Sequence, residues 1–318
     1  MTSSLAFTSV GNRFAEASAL IAQSWVENKD QTLDYNPDFL QSSYEYPGTD
    51  PELSPALYEG GELRAFVSGF PRRVVLQGRE LKLLLLTFFT VAPDLKGKGV
   101  GTRIWAECLS RAREAGYDGA IHYCVDGNKS NHVTVRAAQT IGLESRRVFT
   151  VQYLMRLLRP GGAKKPAIDS EAGLHATFAQ LSRQLSATLP FARLWDEAEI
   201  AWECTRRYGA MHALNDGQGL LTGYILENSG PSKLSVLFIE HILWDGLDEA
   251  PRAELLTELL DNAGSAEVAV VPLWGYSDMG IFRKARFRLS TRMLHAYLTL
   301  WNGMAFPDLL TPMYIDVF

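Results

Sequence analysis

The segment TVAPDLKGKGVGTRIW, residues 90–105, constrains this chain more than any other because it places three glycines in five positions. An apolar run at residues 83–92 precedes the glycines and has the composition of a buried strand. Val100, Ile104 and Cys108 follow them at helical spacing. The segment therefore predicts a strand, a glycine-rich turn and a helix N-terminus. Free backbone N–H groups at such a position bind anions, above all phosphates.

Three phosphate-binding motifs can be compared with the sequence of this segment. A P-loop requires GxxxxGK followed by Ser or Thr, which the segment lacks. A dinucleotide-binding GxGxxG that begins at Gly97 requires glycine at position 102, where the chain has Thr102, and the protein-kinase version fails at the same position. A flexible hairpin loop is the remaining simple alternative. Pro93 at the strand end, the charges of Lys96 and Lys98, and the helix that follows at once favour a binding loop.

Two halves of similar size are predicted. The chain has 318 residues, which suggests two domains. The stretch RPGGAKKPAIDS is rich in Pro, Gly and Lys, so it predicts a linker at residues 160–170 between domains at 1–159 and 171–318. Each half reads as helix, strands, helix, strand, helix, strand, which indicates an internal duplication. Residues 37–55 contain several Pro and Gly residues and are predicted to form turns.

Composition excludes several classes of protein. The net charge of −5, with acidic and basic residues interleaved, argues against nucleic acid as a partner. The longest apolar run is about half of a membrane span, and the N-terminal residues lack the pattern of a signal peptide, so we expect no membrane partner and a cytoplasmic location. Cys108, Cys124 and Cys204 form no CxxC pair, and the six histidines show no metal-ligand spacing, so neither a disulfide framework nor a metal site is expected.

The glycine segment resembles the coenzyme A pyrophosphate loop of the GNAT N-acetyltransferase superfamily. The family motif has Arg or Gln, two residues, Gly, one residue, and Gly or Ala, after a strand that ends in Val-x-Pro. In VAPDLKGKGVGTR, Lys96 takes the Arg/Gln place, and Gly99 and Gly101 take the small-residue places. The resemblance covers residues 5–158 well and the second half in outline. It implies a mixed α/β (α+β) fold with two GNAT-like acyl-CoA N-acyltransferase domains, each a mixed, mostly antiparallel sheet flanked by helices.

This resemblance also implies acetyl-CoA as co-substrate and a set of residues that would bind it. Main-chain groups of the strand before the loop would pair with the pantetheine amides, and N–H groups of the loop would hold the pyrophosphate. Lys96 and Lys98 would pair with the phosphates or be simply solvated. The full set implied for cofactor binding is Phe89, Thr90, Val91, Lys96, Gly97, Lys98, Gly99, Val100, Gly101, Thr102 and Asn131.

The expected chemistry is direct attack of a primary amine on the thioester, with an N–H of the strand at residues 83–91 at the developing oxyanion. In the family a later helix carries Asn, then Tyr seven residues on, then Gly four residues further. Asn131 and Gly142 match, but the Tyr position is Ala138. The acid that protonates the thiolate would then be Tyr123, on the next strand, or a water held by Asn131.

A general base is not evident in the sequence. The strand LKLLLLTFFTV contains no carboxylate, so the base must come from elsewhere. His122 is a catalytic candidate, with Asp126, Asp34 and Glu45 as further ones. Each of them also reads as an ordinary capping or solvated residue.

The second half keeps little of the loop. Its equivalent turn, HILWDGLDEAPRAELL, has one glycine, Gly246, together with Asp245, Asp248 and Glu249, which would repel a pyrophosphate. We expect a degenerate copy that completes the acceptor groove, mediates a homodimer or only stabilises the first half. The predicted function is acetyl transfer to a primary amine of a small molecule or peptide. The alternative, favoured by Ala138, is a non-catalytic acyl-CoA-binding regulatory or scaffold protein of the same fold.

Overall fold

The computed structural model describes residues 6–25, 33–128, 130–159, 161, 171–215, 217–228, 233–301, 303–308, 310 and 312–317. Of the predicted linker, only Gly161 belongs to this set. No helix in the described ranges is long and apolar enough to cross a membrane. The strands are β1 (Thr8–Ser9), β2 (Pro55–Glu59), β3 (Glu62–Leu76), β4 (Arg79–Val91), β5 (Gly119–Val125), β6 (Glu144–Leu157), β7 (Phe191–Leu194), β8 (Ala210–Asn215), β9 (Gly219–Glu227), β10 (Ser235–Leu243), β11 (Val268–Leu273), β12 (Arg288–Leu300) and β13 (Met313–Tyr314).

Eight α-helices lie in the described ranges. They are α1 (Phe14–Trp25), α2 (Pro37–Tyr44), α3 (Val100–Glu114), α4 (Ser130–Thr140), α5 (Glu171–Ser186), α6 (Glu197–Ala201), α7 (Glu249–Asn262) and α8 (Gly280–Lys284). A π-helix, Trp202–Arg206, continues α6. In α3, Val100, Ile104, Cys108 and Ala112 are buried, as their helical spacing predicts.

One region departs from the sequence prediction. The stretch at residues 37–55, predicted as turns, contains α2. Asn36 caps this helix by accepting a hydrogen bond from the N–H of Phe39 at 2.9 Å, and Pro37 takes the first helical position, which suits its fixed φ. Proline and asparagine therefore begin a helix here rather than a loop.

The two halves share one continuous sheet, in the order β1-β2-β3-β4-β5-β12-β6-β11-β10-β9-β8, with β7 paired to β3 and to β13. β12, the last long strand of the second half, lies between β5 and β6 of the first half. β6 in turn pairs with β11 of the second half. The halves therefore exchange their last strands, and the largest buried apolar cluster contains residues of both. Mixed α/β architecture is confirmed, whereas the division into two domains stays a prediction.

A gap between β4 and β5 is the main feature that positions the site. The two strands pair in parallel only from Leu83 to Leu86, where Leu86 lies opposite His122. Beyond this pair β4 continues to Val91 and β5 to Val125 without pairing to each other. A bulge in β4 at this point leaves Phe88 with φ of +52°, a left-handed conformation that bends the strand away.

The second half repeats this divergence but fills it. β10 and β11 pair only at Val236–Phe238, and β10 has a bulge between Ile239 and His241. Beyond the last pair, the N–H of Ile242 donates to the hydroxyl of Tyr276 at 3.3 Å. In the second half, the Tyr276 side chain therefore occupies a main-chain donor that the corresponding part of β4 leaves open.

Candidate active site

The glycine loop forms an open helix N-terminus. After a 3₁₀ turn at Pro93–Leu95, Gly97 and Gly99 have φ of +78° and +79°, which only glycine adopts without strain. Gly99 is the N-cap of α3, and no side chain within the described ranges caps the helix. The first N–H groups of α3 have no acceptor within the helix, and its first turn has no acidic residue. Positive partial charge at this end therefore remains available to an anion.

Gly101 permits α3 to lie directly against β4. A Cβ at this position would be 2.9 Å from Cζ of Phe89 and 3.5 Å from Cγ2 of Val91. The ring of Phe89 has little room to move because it packs edge-on against Trp105, with ring centroids 5.2 Å apart. A side chain at 101 would consequently displace the strand edge next to the gap.

Lys96 and Lys98 have different surroundings. The ammonium of Lys96 donates to the carbonyl of Ser24 at 2.9 Å, so this side chain holds the end of α1. Lys98 is exposed beside the two left-handed glycines. Of the two lysines, Lys98 is the one positioned to pair with a phosphate at the helix N-terminus.

Main-chain groups of β4 alternate between β3 and the gap. The N–H of Ala92 donates to the carbonyl of Arg64 at 2.8 Å, and Thr90 pairs with Phe66 of β3. By the alternation of an antiparallel ladder, the N–H and C=O groups of Phe89 and Val91 point to the opposite edge, where β5 has diverged. Of the three residues predicted to pair with pantetheine, Thr90 therefore presents its main chain to β3 instead.

His122 and Tyr123 lie on opposite faces of β5, as the alternation in the sequence predicts. The Nε2 atom of His122 is 3.0 Å from Oγ1 of Thr134 on α4, and the ring is buried. Burial lowers the pKa of His122 to about 3, so the imidazole is neutral at physiological pH and a weak base. This argues against His122 as the general base.

Tyr123 points toward the second half. Its ring lies 6.1 Å from that of Trp274, and its hydroxyl is buried without a hydrogen-bond partner among the described residues. Burial raises the pKa of Tyr123 well above its ordinary value, so the group stays a proton donor at every physiological pH. Tyr123 lies one residue after the last β4–β5 pair, so its hydroxyl lies on the face of the gap opposite to His122 and α4.

Asn131 lies in the first turn of α4, beside the loop, since Cγ1 of Val133 in the same turn is 3.5 Å from a Cβ built on Gly101. Its Oδ1 atom is buried and has no partner within the described ranges. A groove of about 630 Å³ runs along this helix, with Asn131, Arg136, Arg147 and Tyr297 among its lining residues. Ala138 is buried and supplies no acidic group.

The remaining base candidates lie in unremarkable environments. Glu45 is exposed and accepts a hydrogen bond from Gln41 at 2.9 Å. Asp126 is exposed and pairs with Nε2 of His295 at 2.9 Å, and this contact lowers the pKa of Asp126. The N–H of Asp34 donates to the carbonyl of Glu227, which ties this segment to the edge of β9.

A buried network of charged groups lies between the halves and was not predicted from the sequence. Arg72 on β3 donates to both carboxylate oxygens of Asp316, with its Nη2 atom at 2.7 Å, and Arg193 on β7 pairs with the same carboxylate. Arg207 donates to Glu203 at 2.6 Å. The visible signal in the sequence is a set of charged residues inside apolar segments, of which FIEHIL in β10 is one.

Comparisons with known proteins agree with this geometry. Residues 20–142 match the acetyltransferase (GNAT) family. A structure of Saccharomyces cerevisiae N-myristoyltransferase with bound myristoyl-CoA has a similar fold, with a TM-score of 0.72, 15% identity, and coverage of 94% of this chain and 83% of that one. A second, with bound myristoyl-CoA and inhibitors, gives 0.74 and 14%, over 94% and 80% of the two chains. No curated protein sequence matches the chain.

The chain has the fold of the two N-myristoyltransferase structures, with a glycine-lined helix N-terminus beside the gap between β4 and β5. Residues 20–142 are similar to the GNAT acetyltransferase family, as the glycine loop predicts. The fold similarity extends over nearly the whole chain, so the second half belongs to the same architecture.

Proposed function

We propose that this protein is an acetyl-CoA-dependent N-acetyltransferase that acts on a primary amine of a small molecule or peptide. The observation that carries the proposal is the open gap between β4 and β5 beside an uncapped, glycine-lined N-terminus of α3, inside a GNAT-family domain. The filled counterpart in the second half, where Tyr276 bonds to Ile242, favours one site per chain.

Each part of the gap has a proposed role. The N–H groups of Gly99, Val100 and Gly101 bind the pyrophosphate, with Lys98 beside them. The outward main-chain groups of Phe89 and Val91 pair with the pantetheine amides, and one of these N–H groups stabilises the negative charge that develops on the thioester oxygen. Tyr123, protonated at all working pH values, or a water held by Asn131, supplies the proton for the thiolate.

The space next to the gap favours a short acyl group. Phe88 is buried and packs edge-on against Tyr35 at 5.4 Å and Phe39 at 6.0 Å. The cavity bordered by Thr87, Phe88 and Phe70 has an internal volume of about 10 Å³, roughly enough for one water. An acetyl group would require only a small displacement of these rings, whereas a fatty chain would require a much larger one. A long acyl chain is the second candidate because the N-myristoyltransferase structures of similar fold contain myristoyl-CoA.

Binding is tested by calorimetric titration of acetyl-CoA into the parent and into Gly99→Glu. We expect the variant to lose binding by at least about 100-fold, because it adds negative charge where the phosphates lie. Gly60→Glu is the matched control, since Gly60 also has positive φ and open space around it but lies in the turn between β2 and β3. Equal affinity of the parent and Gly99→Glu would contradict the proposed loop.

Transfer is tested by release of the free thiol with a panel of primary amines and a series of acyl-CoA donors from two to fourteen carbons. We expect the highest kcat/KM with acetyl-CoA. A maximum at fourteen carbons would instead assign long-chain transfer. Tight binding without thiol release across the panel would support the non-catalytic alternative.

A further inference from the structure

Glu240 is a buried carboxyl group next to His241 in a mostly apolar strand. It lies at the bulge of β10, between Ile239 and His241, and is 4% exposed. Its Oε1 atom accepts a hydrogen bond from the N–H of Val317 at 2.9 Å. Burial of a carboxylate is unfavourable unless its oxygens are fully bonded. A single backbone donor on one oxygen leaves the other to be explained.

The second oxygen, Oε2, faces a donor at a distance too long for a hydrogen bond. The Nη2 atom of Arg207 is 4.0 Å away, and this atom has no hydrogen-bond acceptor among the described residues. The hydroxyls of Tyr123 and Tyr224 are also buried and have no hydrogen-bond partner among the described residues. Unsatisfied polar atoms are rare in protein interiors, so several in one region indicate that a polar ligand binds there.

This region adjoins the gap between β4 and β5. Arg207 lines the same cavity as Thr87 and Phe88, the first residues of β4 beyond its last pair with β5. Tyr123 directly follows His122, the last paired residue of β5, and points to the same side as Trp274 of the second half. His122 itself points to α4. The unsatisfied groups therefore lie on the face of the gap away from α4.

Resting on the proposed function, we propose that Glu240 is the general base that deprotonates the acceptor ammonium, with Arg207 and Tyr123 around the same position. A primary ammonium carries its proton at neutral pH and cannot attack until the proton leaves. Glu240 Oε2 accepts that proton. The nitrogen lone pair then forms a C–N bond to the thioester carbonyl carbon, the C–S bond breaks, and the second N–H proton ends on the thiolate. The products are an amide, the free thiol and one proton, which Glu240 returns to solvent.

Electrostatics of the surroundings support this role. Burial raises the pKa of Glu240 above its ordinary value, although Arg207 and His241 lower it in part. A higher pKa brings the carboxylate closer to the operating pH and makes it a better base. The titratable and charged groups that face it from neighbouring elements are Glu203, Arg207, His241, Asp316, Tyr123, Tyr153, Tyr224 and Tyr276.

The test compares the full-length parent with Glu240→Gln over pH 6–10. We expect kcat/KM for an alkyl amine to fall by about 100-fold or more at pH 7, in the range of a lost general base, and to recover as pH rises and the free amine accumulates. The affinity for acetyl-CoA should stay within about twofold. For an amine that is already neutral at pH 7, the loss should largely disappear. Glu144→Gln, an exposed carboxyl paired with Arg146, is the control and should match the parent.

Chemical rescue provides a second, independent readout. Formate should raise the kcat of Glu240→Ala by at least about tenfold and leave the parent unchanged, because a small carboxylate can take the vacated position. Glu240→Asp serves in the same pH comparison if the larger changes prevent folding. An equal loss for neutral and protonated amines, or a parent-like pH profile, would overturn Glu240 as base while the transferase proposal stands. No thiol release by the parent would remove both.

Discussion

His122 of β5 and Tyr297 of β12 stack face to face, with ring centroids 5.1 Å apart and planes 11° from parallel. They are also direct partners in the β5–β12 ladder. His122 is the residue at which β4 and β5 part, and a strand from the second half supports β5 along the edge opposite the gap. The site is consequently a product of both halves, although the residues that resemble the GNAT loop lie in one.

The exchange of strands predicts that the first half does not fold alone. A fragment of residues 1–159 lacks β12, which leaves β5 and β6 with open edges and exposes the apolar surface between them. We expect this fragment to be insoluble or to lack a cooperative thermal transition by circular dichroism. Co-expression with residues 171–318 should restore a soluble complex. A fragment that melts cooperatively by itself would show two independent domains.

Local features of this fold could be predicted from the sequence, and relations between distant segments could not. The strand, glycine turn and helix around Gly99 depend on neighbouring letters, so they were predictable. β12 reads as a strand, but nothing in its letters shows that it inserts beside β5. Asn36 followed by Pro37 at the first helical position is a signal for the start of α2. The many turn-forming residues after it favoured a prediction of turns instead.

The candidate base shows the same division. Glu240 stands out in the sequence only as a charge inside the apolar run FIEHIL. Its significance depends on a bulge in β10, on Arg207 after the π-helix and on the N–H of Val317. These contacts come from segments that are far apart in the chain and meet only after the two halves have assembled.

Asp316 is predicted to be a principal stabilising residue. It is fully buried between Arg72 and Arg193, so Asp316→Asn would leave two guanidinium groups without their charged partner. Breaking a buried pair by removing one partner costs about 3–5 kcal/mol of unfolding free energy. Glu249→Gln, which removes an exposed pair with Lys284, should cost less than about 1 kcal/mol. Urea denaturation measures both, and equal effects would contradict the predicted importance of the buried network.

Stability should fall steeply in acid because of Glu203. Burial would raise the pKa of this carboxyl, but Arg207 and His241 lower it to about 2, from an ordinary value of 4.5. The folded state therefore holds the charged form more strongly than the unfolded chain does. The resulting stabilisation is complete above pH 4.5 and is lost as pH falls toward 2. Denaturation of the parent and of Glu203→Gln at several pH values measures this effect. Between pH 4.5 and 2, the unfolding free energy of the variant should fall by about 3 kcal/mol less than that of the parent. An unchanged slope would contradict the assignment.

His122 should not titrate in the working range of the protein. Because burial lowers its pKa to about 3, its imidazole NMR signals should remain constant from pH 9 down to about pH 5. The pH profile of acetyl transfer in His122→Gln should keep the midpoint of the parent, even if packing against Tyr297 is altered. A midpoint near 6.5 in the NMR titration, absent from the variant's rate profile, would restore His122 as a candidate base.

The three cysteines should be unreactive in the native protein. Cys108, Cys124 and Cys204 are buried and free, and burial raises the pKa of Cys124 to about 11 and the pKa values of the other two as well. Since the thiolate is the reactive form, labelling by an aromatic disulfide at pH 8 should be at least about 100-fold slower than for a free thiol. Unfolding in denaturant should release three reactive thiols. Rapid reaction of one native thiol would contradict this prediction and would point to Cys124, which at 6% is the most exposed of the three.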